Sequence, residues 1–170
     1  MRDFLFLGIN KKTYKMPNTY TQIYIHLVFA VQNRVSLIRS QWKQSLYQYM
    51  NAIISGQGHK PFAINGMPDH VHIFFSMNPT QSVSSLVYHV KRSSSLWIND
   101  NKLVKGRFSW QEGYGAFSYS KSQISNVIQY IENQEMHHKK QSFLEEYIQF
   151  LKESGIKYDD RFIFKPIDNL

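Results

Sequence analysis

Between residues 21 and 31 apolar and polar side chains alternate. Ile23, Ile25, Leu27, Phe29 and Val31 fall on one side, and Gln22, Tyr24, His26 and Gln32 on the other. A period of two belongs to a β-strand with one face on a core. The period then lengthens. Trp42, Leu46, Tyr49, Met50 and Ile53 recur at threes and fours, predicting a helix that Ser40 caps, that runs to about residue 55, and that Gly56 and Gly58 stop. A short strand over 61–65, the turn residues Gly66-Met67-Pro68-Asp69 and a strand His70–Ser76 read as a hairpin. Asn78-Pro79-Thr80 ends that strand, and Val83, Leu86, Val87, Val90 and Trp97 place a second helix over 82–98. A strand pair or one bent strand follows over 108–119, interrupted by Gly113 and Gly115. Ser122 is expected to cap a third helix reaching about residue 136, and Ser142 a fourth, Phe143–Glu153, that Gly155 ends.

The order β-α-β-β-α-β followed by helices predicts an α+β, ferredoxin-like fold. It implies a mostly antiparallel sheet, helices on one of its faces, and extra helices at the C-terminal end. No repeat or linker divides the 170 residues, so 17–170 is expected to form one domain. Residues 1–16, which end just before the first strand pattern, are expected to be an extension outside it. Lys and Arg number 20 against 12 Asp and Glu, a formal charge of +8 that favours a polyanionic partner, nucleic acid first. The absence of cysteine excludes a disulfide framework, a thiolate zinc site and a cysteine nucleophile. No apolar run approaches the ~20 residues of a membrane span, so the expectation is a soluble, cytoplasmic, nucleoid-associated protein with no membrane partner.

Candidate chemistry begins at His70-Val71-His72. Two histidines one residue apart on a strand project to the same side, where their imidazoles can share one cation or be two polar groups on a solvent-washed face. On the third helix Ile124, Val127, Ile128 and Ile131 form the buried stripe, while Tyr130 and Gln134 stack one turn apart on its flank. Taken alone, that tyrosine reads as a core-edge residue.

Together these residues resemble a known family. The run Ile64-Asn65-Gly66-Met67-Pro68-Asp69-His70-Val71-His72, with Tyr130-Ile131-Glu132-Asn133-Gln134, is similar to the single-tyrosine HUH transposases of the smallest bacterial and archaeal insertion sequences. His26-Leu27-Val28-Phe29, Ser93-Ser94-Ser95, Trp110-Gln111-Glu112-Gly113-Tyr114, Gln141-Ser142-Phe143 and Glu145-Glu146-Tyr147 extend the similarity over 18–164. The resemblance implies that His70 and His72 are metal ligands, Gln134 the third ligand and Tyr130 the nucleophile. It implies metal-dependent cleavage and rejoining of single-stranded DNA with hairpin ends through a 5′-phosphotyrosine, with Mg²⁺ or Mn²⁺ and no nucleotide cofactor, excising and inserting a mobile element. It also implies a homodimer in which the histidine pair of one subunit completes the tyrosine helix of the other. Related enzymes carry a second tyrosine where this chain has Gln134.

Two imidazoles and an amide offer a hard cation no carboxylate, so weak metal binding is expected until a scissile phosphate adds its oxygens. Asp69 either orients a histidine or serves the turn, and His26 reads as a hydrogen-bonded structural histidine beside the site. Candidate DNA contacts are Arg34, Lys91, Arg92, Lys105, Arg107, His137 and Lys139. Two other classes fit parts of the pattern: a noncatalytic ferredoxin-like nucleic-acid-binding module and a zinc hydrolase built on the histidine pair.

Overall fold

A computed structural model describes residues 20–163, so the expected extension at 1–16 lies outside the described residues. Strands β1 (Tyr24–Ala30), β2 (Lys60–Met67), β3 (His70–Ser76) and β4 (Gly115–Tyr119) form one antiparallel sheet in the order β2-β3-β1-β4. Helices α1 (Ser40–Gly56) and α2 (Val83–Asp100) provide the two crossovers, giving the ferredoxin-like arrangement. Helices α3 (Ile124–Glu132), α4 (Gln134–His137) and α5 (Phe143–Glu153) follow.

One face of the sheet is built from the predicted odd positions. Ile25, Leu27, Phe29 and Val31 join Val71, Ile73 and Phe75 against Trp42, Leu46, Met50 and Ile54 of α1 and Leu86, Val87, Val90 and Ile98 of α2. The expectation that helices cover one face is corrected on the other. There Val28 and Ala30 pack with Phe117, Phe143, Tyr147 and Leu151, and Phe74 and Ala63 with Val127 and Ile131. The even positions of β1 include Val28 and Ala30, which a solvated face would not need, and strands covered on both sides lose their clean alternation. α3 and α5 supply the cover.

Several local expectations shift for physical reasons. Arg39, not Ser40, occupies the residue before α1, and Ser120 rather than Ser122 closes a capping box with Gln123 ahead of α3. The segment 108–119 contributes strand only from Gly115, with Trp110 bridging Val31 alone. The single long tyrosine helix is broken at Asn133, whose ψ is 20° and whose side-chain amide donates back to the Gln129 carbonyl at 2.9 Å. A short polar side chain bonding its own backbone competes with continuation of the helix. Ser142 caps α5 as expected, and Glu145 completes the box.

The β2–β3 hairpin depends on Gly66. It faces Val71, and a Cβ there would sit 2.9 Å from the Val71 Cα and collide with the His70 carbonyl. Only glycine lets the two backbones come this close.

Candidate active site

β3 turns His70 and His72 toward the second face, and both are fully buried there beneath the C-terminal helices. Each ring is held from behind. His70 Nδ1 lies 2.8 Å from Asp69 Oδ1, and His72 Nδ1 lies 2.9 Å from Nε2 of His26 on β1. Asp69 is held in turn by Arg34, whose Nη2 donates to Oδ2 at 2.8 Å from a left-handed backbone position with φ 54°. Burial lowers the His70 pKa to about 4, although the hydrogen bond to Asp69 opposes the shift. Burial would raise the Asp69 carboxyl, but hydrogen bonds from His70 and Arg34 bring it down to about 2. His70 is therefore neutral near pH 7, with its proton on the nitrogen that donates to Asp69 and its Nε2 lone pair facing inward.

The break at Asn133 decides where Gln134 goes. A continuous helix would stack it above Tyr130 on a flank, whereas α4 turns it fully inside. Its Nε2 donates to Glu146 Oε1 at 3.0 Å, and the Tyr130 hydroxyl donates to that same oxygen. Glu146 Oε2 accepts from His138 at 3.1 Å and lies 3.5 Å from His72 Nε2 and 3.9 Å from His70 Nε2. Burial alone would raise the Glu146 carboxyl, yet the hydrogen bonds from His138 and Tyr130 and the adjacent His72 hold it well below the usual range. Burial, and then the Glu146 charge, push the Tyr130 phenol up. The nucleophile candidate is thus held in its protonated form.

Tyr130, His70, His72 and Gln134 consequently meet within a single chain. Tyr130 comes from α3, Gln134 from α4 and the histidine pair from β3. The ring of Tyr130 faces a cleft of about 430 Å³ that His26, His137, Gln141, Glu146 and Phe150 also line. Four buried atoms in this region have no hydrogen-bond partner: His26 Nδ1, His70 Nε2, His72 Nε2 and Gln134 Oε1. The last three are the donor atoms a divalent cation would take, so the residues present fit a metal. His70, His72, His138 and Glu146 moreover each place a ligand atom within 4.8 Å of the others.

Glu146 and His138 were not among the sequence candidates, and the expectation of a site without a carboxylate is corrected by Glu146. A signal for it existed. Phe143, Tyr147, Phe150 and Leu151 mark the apolar stripe of α5, and Glu146 stands on that stripe, where an acid is out of place unless partnered. His26 is the hydrogen-bonded buried histidine expected, and Asp69 orients His70. Among the candidate DNA contacts, Arg34 is engaged with Asp69 and lies 4.9 Å over the Phe143 ring. Lys91 donates to the backbone carbonyls of Gln111 and Gly113, and burial lowers its pKa to about 8. Arg92, Lys105, Arg107, His137 and Lys139 are exposed, with the His137 ring 4.5 Å from that of Tyr130.

Residues 19–134 match a family model described as IS200-like transposase. The ISDra2 transposase TnpA of Deinococcus radiodurans is 25% identical over 118 residues, which cover 66% of this chain and 84% of that protein. Two solved structures share the fold. A protein from Deinococcus radiodurans R1 described as a transposase aligns with TM-score 0.57 and 23% identity over 71% of this chain and 96% of its own. A REP-associated tyrosine transposase bound to a REP hairpin aligns with TM-score 0.55 and 15% identity over 73% of each chain. α5 lies beyond the family match.

Proposed function

We propose, from the premise that this chain belongs to the IS200-like transposase family, that it cuts and rejoins single-stranded DNA with Tyr130 as the nucleophile and His70, His72 and Gln134 as cation ligands. The observation that carries this reading is the convergence, inside one chain, of the Tyr130 hydroxyl with the unpaired His70 Nε2, His72 Nε2 and Gln134 Oε1.

A divalent cation, Mg²⁺ or Mn²⁺, would supply positive charge to neutralise the scissile phosphate and ease loss of the phenol proton. The residues do the rest. Asp69 and His26 lock the imidazole rings so that both Nε2 atoms point into the site. Glu146 Oε1 fixes the Tyr130 hydroxyl and stands ready to take its proton as the phenolic oxygen attacks phosphorus. The bond to the 3′ oxygen then breaks, and that oxygen leaves as a hydroxyl once protonated. A 5′-phosphotyrosine retains the energy of the broken bond, so joining is the reverse attack and needs no nucleotide cofactor.

The solved relative that carries a REP hairpin supports hairpin-ended DNA as the substrate, with the +8 charge supplying attraction to phosphate. Of the candidate contacts, Arg92, Lys105, Arg107 and Lys139 are exposed cations free to meet it, and exposed His137 stands beside Tyr130; Arg34 and Lys91 act through their neighbours. The protein would work at the nucleoid. A homodimer would bring two such sites together, one for each end of an element. Burial of the second sheet face beneath α3 and α5 argues against a noncatalytic module that stacks bases on an open sheet.

The test is incubation with hairpin-bearing single-stranded oligonucleotides and Mg²⁺, followed by a denaturing gel. A covalent adduct is expected with the wild-type chain and none with Tyr130→Phe, which should still bind the DNA. An adduct that survives this substitution would place the nucleophile elsewhere.

A further inference from the structure

Among the described residues Glu146 is the one buried acid, and it reaches the site from a helix beyond the family match. Burying a carboxylate costs several kcal/mol unless positive charge and hydrogen bonds compensate. Oε1 is well served, since Tyr130 and Gln134 both donate to it. Oε2 is not. It accepts from His138 and otherwise faces the unpaired Nε2 atoms of His70 and His72 at 3.9 and 3.5 Å. His70 directs its Nδ1 proton at Asp69, so an imidazole lone pair and a carboxylate oxygen confront each other, an arrangement that favours a cation between them. The spacing agrees. Ligands about 2.1 Å from a six-coordinate ion stand about 3.0 Å apart when adjacent and about 4.2 Å when opposite, and Glu146 Oε2 lies 3.1, 3.5 and 3.9 Å from the Nε2 atoms of His138, His72 and His70, within a group of four donors spanning no more than 4.8 Å.

We propose that Glu146 and His138 join His70 and His72 as ligands, alongside Gln134, so that the free chain takes up one divalent cation before any DNA arrives. This rests on the reading that the histidine pair holds a cation, and it reverses the expectation of weak binding drawn from the sequence. Three imidazoles and a carboxylate suit Mn²⁺ or a later first-row ion better than Mg²⁺. Glu146 would then bridge the site, one oxygen on the ion and the other on Tyr130, coupling cation loading to placement of the nucleophile. His138 enters with its proton on Nδ1.

Calorimetric titration of the chelator-stripped full chain with MnCl₂, without DNA, tests this. One ion per wild-type chain is expected, with Glu146→Gln weaker by about tenfold or more and His70→Ala without measurable binding. Failure of the wild-type chain to bind Mn²⁺ without DNA, or a Glu146→Gln affinity within about twofold of wild type, would overturn the inference while leaving the histidine site intact. Binding untouched in His70→Ala would instead overturn the reading beneath it. Should a variant not fold, electron spin-echo spectra of wild-type chain with Mn²⁺ count the coordinated imidazoles directly. Three are expected, and two would remove His138.

Discussion

Asn65 offers a sharp check on how the tyrosine helix is held. Its side-chain amide donates both hydrogens to the final carbonyls of α3, to Ile131 at 2.9 Å and Glu132 at 3.0 Å. The Glu132 carbonyl has no partner within the helix and the Ile131 carbonyl otherwise meets only a backbone amide at the C-cap, so a residue of β2 completes their hydrogen bonding and pins the end of α3 to the sheet. Each such bond is worth about 0.5–1.5 kcal/mol net, and the partial exposure of this pair places the sum in Asn65→Ala at about 1–2 kcal/mol. Asn65→Asp loses the same donors and sets a carboxylate against two carbonyl oxygens at the negative end of the helix dipole, a further ~0.5–1 kcal/mol. At about 3 °C per kcal/mol for a chain of this size, the melting temperature should fall by about 4 °C for alanine and about 7 °C for aspartate. Adduct yield, measured well below both melting points, should fall in the same order because Tyr130 lies in the turn that loosens. An aspartate variant as stable as the alanine variant, or either one matching wild type, would refute the pinning argument.

Two further outcomes follow from the same site. Gly66→Ala should lower the melting temperature by about 6–9 °C, the equivalent of about 2–3 kcal/mol of overpacking, because the new Cβ meets the His70 and Val71 backbone rather than a yielding side chain; Mn²⁺ titration of the folded fraction should show the histidine pair displaced. In EDTA, stability should fall on acidification. The unfolded chain protonates His70 below ~6.5, whereas the folded chain resists until about 4, a difference worth up to about 3 kcal/mol. Melting temperatures that stay level between pH 7 and 4.5 would show that His70 is not buried as a neutral ring.

What the sequence revealed and what it concealed divide along physical lines. The alternation at 23–31, the hairpin around Gly66 and the geminate placement of His70 and His72 are local, and they stand in the structure as read. The covering of the second sheet face is not local. It requires α5 to fold back over Val28 and Ala30, and no periodicity within β1 names the helix that does so. Gln134 illustrates the same division. Helical arithmetic placed it on a flank beside Tyr130, but a single amide at Asn133 ended the helix and sent Gln134 to full burial. Glu146 was visible as an acid on an apolar stripe; its partners, drawn from β3, α3, α4 and the residue just after α4, were not.

The assembly of the site in one chain also bears on how two copies could share it. α3 is joined to β4 by residues 120–123, and the capping box between Ser120 and Gln123 closes that connection. Exchanging α3 with a twin would re-form the same Val127 and Ile131 packing and the same Asn65 bonds on the partner, so the helix itself loses nothing. The cost falls on the capping box, which must open for the connection to extend. Four residues at full extension reach about 14 Å. The first residue of a partner-docked α3 must therefore lie within about that distance of the end of β4. The Tyr130–Glu146 contact does not decide between the two arrangements, because a helix exchanged between identical chains re-forms it on the twin; the capping box and the reach of residues 120–123 set the cost of exchange.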